Sequence, residues 1–161
     1  LIALVIELFG VLILSKYEFV LQQITIAAFF FPVVMAMGGS SGSQAAIVMV
    51  KGLGSGEIWF KESIRKLLKE FFVAILNGLV IASILFIATS IFFSDTWFII
   101  ILSLSLLVII VFATMLGATI PLILKRMDVD PAVATGPFVS TMNDILGLLI
   151  YMTFITIFIV S

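Results

Sequence analysis

Asp144 sits inside a long apolar stretch, and it has polar company. Ser140, Thr141 and Asn143 lie just before it, Gly136-Pro137 precede that group, and Gly147 follows. A carboxylate at bilayer depth costs several kcal/mol unless it faces a polar cavity or a partner, so its presence asks for a role. On a helix, Ser140, Thr141, Asp144 and Leu148 share one face, with Asn143 offset. A carboxylate flanked by hydroxyl, amide and carbonyl oxygens is the donor set that hard cations take. The competing reading is a helix–helix seam joined by small and polar residues, which accounts for Ser, Thr and Gly but not easily for an aspartate. Cys and His are both absent. That excludes disulfides, thiolate zinc sites, haem and His-based acid–base catalysis. It also leaves no His or Cys for a nucleophile–base pair, so no enzyme is expected. Glu7 is the second acidic residue within an apolar stretch, and pairing to a neighbouring helix would explain it.

The elements that must position these groups are set by hydropathy. The chain is 63% apolar and 11% charged, with a mean hydropathy of +1.41. That leaves too little polar surface to cover a soluble globule. Five apolar stretches occur, at about residues 1–14, 19–50, 71–93, 97–124 and 131–160. All but the first are long enough to span, and their lengths suit helices rather than barrel strands. The expected class is an all-α membrane protein with five transmembrane helices per chain. The first stretch covers only about 21 Å of a ~30 Å core, so it is expected to be the remainder of a longer helix. Residues 1–161 are thus expected to be the transmembrane domain of a larger chain.

Lys51, Lys61, Arg65, Lys66, Lys69, Lys125 and Arg126 fall in loops on one side, against Lys16 alone on the other. Positive charge marks the cytoplasmic face, which puts the N-terminus inside and the C-terminus outside a multi-pass cell (inner) membrane. In the charged link, Trp59, Phe60, Ile64, Leu67 and Leu68 recur between charges, so Glu57 to Lys69 is expected to lie as an amphipathic helix on the inner surface. A net charge of −1 gives no basic patch for nucleic acid. In the second stretch, Pro32 precedes Gly38-Gly39-Ser40-Ser41-Gly42-Ser43-Gln44. Such residues make poor helix and permit close backbone approach, so irregular backbone or a tight packing interface is expected there. A phosphate-loop reading fails, because no Lys-Ser/Thr pair follows and no strand precedes.

These segments resemble the MgtE family of magnesium transporters over nearly the whole chain. Pro32-Val33-Val34-Met35-Ala36-Met37-Gly38-Gly39 with Gly42 and Gln44, Val50-Lys51-Gly52-Leu53, and Gly56-Glu57-Ile58 carry the first part of the match. Asp130-Pro131-Ala132-Val133-Ala134-Thr135-Gly136-Pro137-Phe138-Val139, then Thr141, Asn143, Asp144 and Gly147-Leu148, carry the rest. The resemblance implies a homodimer with its pore on the twofold axis, between the second and fifth helices. It implies that Asp144 binds the transported Mg²⁺, with Mn²⁺ or Co²⁺ able to substitute, aided by the backbone carbonyl of Ser140. One such aspartate per chain would supply two carboxylates on the axis. Gly136, Pro137, Thr141 and Asn143, with Gly38, Gly39 and Ser40, become pore-lining candidates, and Asp130 a cytoplasmic regulatory metal site. Ser40 stands where the family motif often has Asn. The family's cytoplasmic acidic domain and CBS pair are absent from these 161 residues. Two other functions remain open at this point: a carrier coupled to H⁺ or Na⁺, and a noncatalytic membrane anchor for a cytoplasmic domain.

Overall fold

The computed structural model describes residues 2–56, 63–134 and 137–160, with side chains for all of these except residues 2, 3, 6, 133, 134 and 137. Among the described residues the secondary structure is entirely helical. Helix α1 (Ile2–Lys16) turns at Tyr17 into the short α2 (Glu18–Gln23). The chain breaks at Ile24, at φ −131° and ψ 70°, and a 3₁₀ segment (Thr25–Phe30) leads into α3 (Phe31–Gly54). Then come α4 (Ser63–Phe92) and α5 (Thr96–Arg126). A 3₁₀ turn (Pro131–Ala134) precedes α6 (Pro137–Ile155), which closes in a π turn (Thr156–Val160).

Four runs are long and apolar enough to cross a membrane: Thr25–Gly54, Ser63–Phe92, Thr96–Arg126 and Phe138–Val160. The most apolar of them, α5, is also the most enclosed, and it packs against α3, α4 and α6. The reverse holds for α4, where Phe72, Leu76, Val80, Ile84, Ile87 and Ile91 are all exposed. With lipid as the solvent those side chains need no protein cover, so α4 packs mainly on α5 and leaves much of its surface to hydrocarbon. The main core joins Phe30, Val34, Phe98, Leu102, Ile109 and Tyr151. A smaller cluster toward the other end joins Met49, Ala118 and Leu122, with Leu53 and Leu67 against it.

Several boundaries differ from the sequence expectation. The second apolar stretch is not one helix, because it bends at Ile24. Of the two expectations for its glycine–serine segment, irregular backbone fails, because Phe31 through Gly54 is regular α-helix, and tight packing holds, because Gly38 and Gly42 lie close against α5 and α6. In an apolar medium every backbone group must be bonded internally, and a continuous helix does this where a loop would not. Pro32 causes no kink, since it lies in the first turn, where its missing N–H has no helical partner to lose. Pro137 likewise stands at the first described position of α6. The third helix starts at Ser63 or before, so Ile64, Leu67 and Leu68 belong to the same helix as the span instead of a separate surface helix. The other half of that expected amphipathic segment, with Trp59 and Phe60, lies outside the described residues.

The connections are fixed by identifiable contacts. Asp95 caps α5, its carboxylate accepting from the Phe98 N–H at 3.1 Å. Trp97 Nε1 donates to the Phe158 carbonyl at 2.9 Å, tying the start of α5 to the last turn of the chain. Tyr151, fully buried, donates its hydroxyl to the Ala27 carbonyl at 3.0 Å. It thereby satisfies a carbonyl in the irregular segment before α3 and sets α6 against that segment.

Candidate cation site between helices α3 and α6

Ser140 and Asp144 stand one turn apart on α6 and face α3 at Gly39. A Cβ added at Gly39 would lie 2.8 Å from Asp144 Oδ1 and 3.0 Å from Ser140 Oγ. The carboxylate and the hydroxyl therefore occupy the volume that any side chain at position 39 would fill. Both residues are half-buried, so their oxygens sit at the edge of the chain rather than within its core. Gly38 is held by different neighbours: its Cβ would meet Ile109 Cγ2 at 3.2 Å and the Asn143 carbonyl oxygen at 3.6 Å.

One residue before Asp144, Asn143 is 2% exposed and turns into the packing. Its Nδ2 fills the space where a Cβ at Gly42 would stand, and the same point lies 2.9 Å from the Ala113 carbonyl oxygen of α5. The amide nitrogen is nevertheless buried without a hydrogen-bond partner. Behind it, Gly42 and Gly117 cross so closely that a Cβ at Gly117 would fall on the Gly42 carbonyl. Pro121, buried within α5, lacks the N–H that would have bonded the carbonyl four residues earlier, at Gly117.

The other sequence candidates are placed as follows. Thr141 is buried at 5% exposure. Ser40 is exposed on α3, where its Oγ accepts from Gln44 Nε2 at 3.1 Å. Pro137 contributes the first turn of α6, and Gly136 lies outside the described residues. Asp130 is exposed, and its carboxylate accepts from the Ala132 N–H at 2.9 Å, capping the 3₁₀ turn. Glu7 is half-buried on α1, which packs against α6, the helix that carries Asp144. Sequence reasoning missed Ile109, Ala113 and Gly117, the part of α5 that backs the site. The signal was available, because Ala113, Gly117 and Pro121 recur every four residues within a span, the spacing of close helix packing.

Among the described residues no group of three or more Asp, Glu, His or Cys converges as a metal cage. A cation at Asp144 would take one carboxylate from this chain, and its remaining oxygens from the Ser140 hydroxyl, backbone carbonyls, water or another molecule. That donor set is all oxygen and suits a hard divalent ion that keeps much of its water.

The family model for MgtE, described as a divalent cation transporter, matches residues 31–154. The match runs from the start of α3 to one residue before the end of α6 and includes Gly39, Gly42, Ser140, Asn143 and Asp144. The chain belongs to this family. It is 38% identical over 149 residues to the magnesium transporter MgtE of Bacillus subtilis (strain 168), covering 92% of this chain and 33% of that protein. It is 35% identical over 141 residues to the magnesium transporter MgtE of Thermus thermophilus, covering 88% and 31%. With the magnesium transporter MgtE of Enterococcus faecalis the identity is 26% over 146 residues, covering 91% and 32%. The chain spans about a third of the length of the curated relatives it matches.

Proposed function

We propose that this chain is the membrane part of a divalent cation transporter that moves hydrated Mg²⁺ through a pore formed by two copies. The observation that carries this reading is the carboxylate of Asp144 and the hydroxyl of Ser140 meeting over Gly39 on a half-covered face. Ser40 and Gln44 extend that polar strip along the exposed side of α3. Polar groups at hydrocarbon depth need water or protein beside them. A second copy related by a twofold axis would cover the strip and bring a second Asp144 opposite the first. In that arrangement α1 is the first of five spanning helices, and α3 and α6 line the axis. The N-terminus is cytoplasmic, and Asp130 sits at the inner mouth, where regulatory Mg²⁺ and a cytoplasmic domain would meet it.

The chemistry follows from the ion. Mg²⁺ demands near-octahedral oxygen geometry and dehydrates reluctantly, so one or two carboxylates acting through or beside its waters hold it without stripping it. Two facing carboxylates left without a cation repel each other, and a divalent ion between them removes the repulsion. Gly39 permits the arrangement, because any side chain there would displace the carboxylate. Mn²⁺ and Co²⁺ take the same oxygen ligands and are expected to substitute.

The test is Asp144→Asn in protein verified as folded and of native oligomeric state. Asn keeps size and hydrogen bonding and removes the charge, so Mg²⁺ binding and flux in liposomes should be lost. Wild-type affinity in that variant would remove Asp144 from the mechanism. Flux that collapses when a proton or sodium gradient is abolished would favour the coupled carrier instead.

A further inference from the structure

We infer that Asn143 is a positioning residue for the cation site: its side chain is a wedge seated in the Gly42 notch that sets the height of α6, and so keeps the Asp144 carboxylate over Gly39. This rests on the reading of Asp144 as the cation ligand. Three observations carry it. Asn143 is 2% exposed, and its amide occupies the space that any side chain at Gly42 would take. The notch floor is backbone, namely the Ala113 carbonyl 2.9 Å from that same point and the Gly42 carbonyl wedged against Gly117, so it cannot yield as a flexible side chain would. The next residue on α6, Asp144, meets Gly39, one turn from Gly42 on α3, so a slide of α6 that unseats Asn143 also moves the carboxylate off Gly39.

The amide nitrogen gains no hydrogen bond in the notch. A buried donor left unpaired is destabilising, so hydrogen bonding does not explain why Asn143 is there. Shape does. Asn and Leu share a fork at Cγ and similar size, whereas Ala leaves the notch empty. The wedge acts through its outline, and removing the amide while keeping that outline should preserve the site.

The experiment measures Mg²⁺ affinity, Mg²⁺ flux and thermal stability for Asn143→Ala, Asn143→Leu and Asp144→Asn, each reconstituted alongside the wild type. Outer residues that orient a metal ligand typically cost 10–100-fold in affinity when removed. Asn143→Ala should therefore weaken Mg²⁺ binding about tenfold or more. Asn143→Leu should bind within about twofold of wild type and melt no lower, since it loses an unpaired buried donor. A purely structural role would lower the melting temperature of Asn143→Ala and leave its affinity unchanged. That result, or an equal loss of affinity in the Ala and Leu variants, overturns the proposal. Asp144→Asn separates the two levels: if it binds Mg²⁺ normally, the cation site itself is wrong. If it loses binding while Asn143→Ala keeps it, only the wedge is wrong.

Discussion

At the scale of single residues, the site depends on what is missing as much as on what is present. The Asp144 carboxylate stands where Gly39 has no side chain. Gly39→Ala places a methyl 2.8 Å from that oxygen. The carboxylate is the end of a side chain and can swing aside, so the fold should survive while the ligand is displaced. We expect Mg²⁺ affinity to fall about tenfold with little change in melting temperature, checked by titration and thermal unfolding of the same sample. Tyr151 gives the opposite pattern. Its hydroxyl is the donor to the Ala27 carbonyl in a dry region, and Tyr151→Phe leaves that carbonyl without it. A loss of about 1–3 kcal/mol in stability is expected, with Mg²⁺ affinity in the folded fraction unchanged.

At the scale of helices, the glycines divide by what surrounds them. A Cβ at Gly117 collides with the Gly42 backbone, whereas one at Gly10, inside α1, meets nothing within 4 Å. Gly117→Ala should therefore destabilise the α3–α5 crossing by about 1–3 kcal/mol, since backbone cannot move aside cheaply. Gly10→Ala should be neutral or stabilising by about 0.5–1 kcal/mol through helix propensity alone. Thermal unfolding of both variants under one condition tests the pair. The same glycines show how far the sequence could be read. Hydropathy located four of the five expected spans because lipid exposure is a bulk property of a whole stretch, and α5 matched its apolar stretch to within two residues at each end. Asp144 stood out because a charge in such a stretch has few explanations. At Gly38–Gln44 the close packing was legible in the small residues, whereas the irregular backbone was not there, because composition reports intrinsic helix propensity while an apolar medium decides for the helix. The break at Ile24 had no local mark, neither Gly nor Pro, and depends on tertiary contacts such as Tyr151 to Ala27. The backing role of α5 required knowing which stretches touch, which one chain read in order does not reveal.

At the scale of the whole molecule, the proposed function places a second copy over the polar strip. The chain has no cysteine, so a single introduced Cys reports one contact without background. Ser140→Cys should cross-link to its own counterpart in native membranes, and added Mg²⁺ should alter the rate by occupying the space between the two chains. Cross-linking confined to positions on the lipid-facing side of α4, such as Leu76 or Val80, would place the axis elsewhere. The bond from the Trp97 indole to the Phe158 carbonyl gives this assembly an optical handle. Trp59 and Trp97 are the two tryptophans of the chain, so Trp59→Phe leaves one emitter, clamped to the far end of the helix that bears Asp144. Indole emission shifts with hydrogen bonding and local polarity. Any movement of that end of α6 during transport should therefore be visible as a change in fluorescence colour, in a bilayer, with no dye attached.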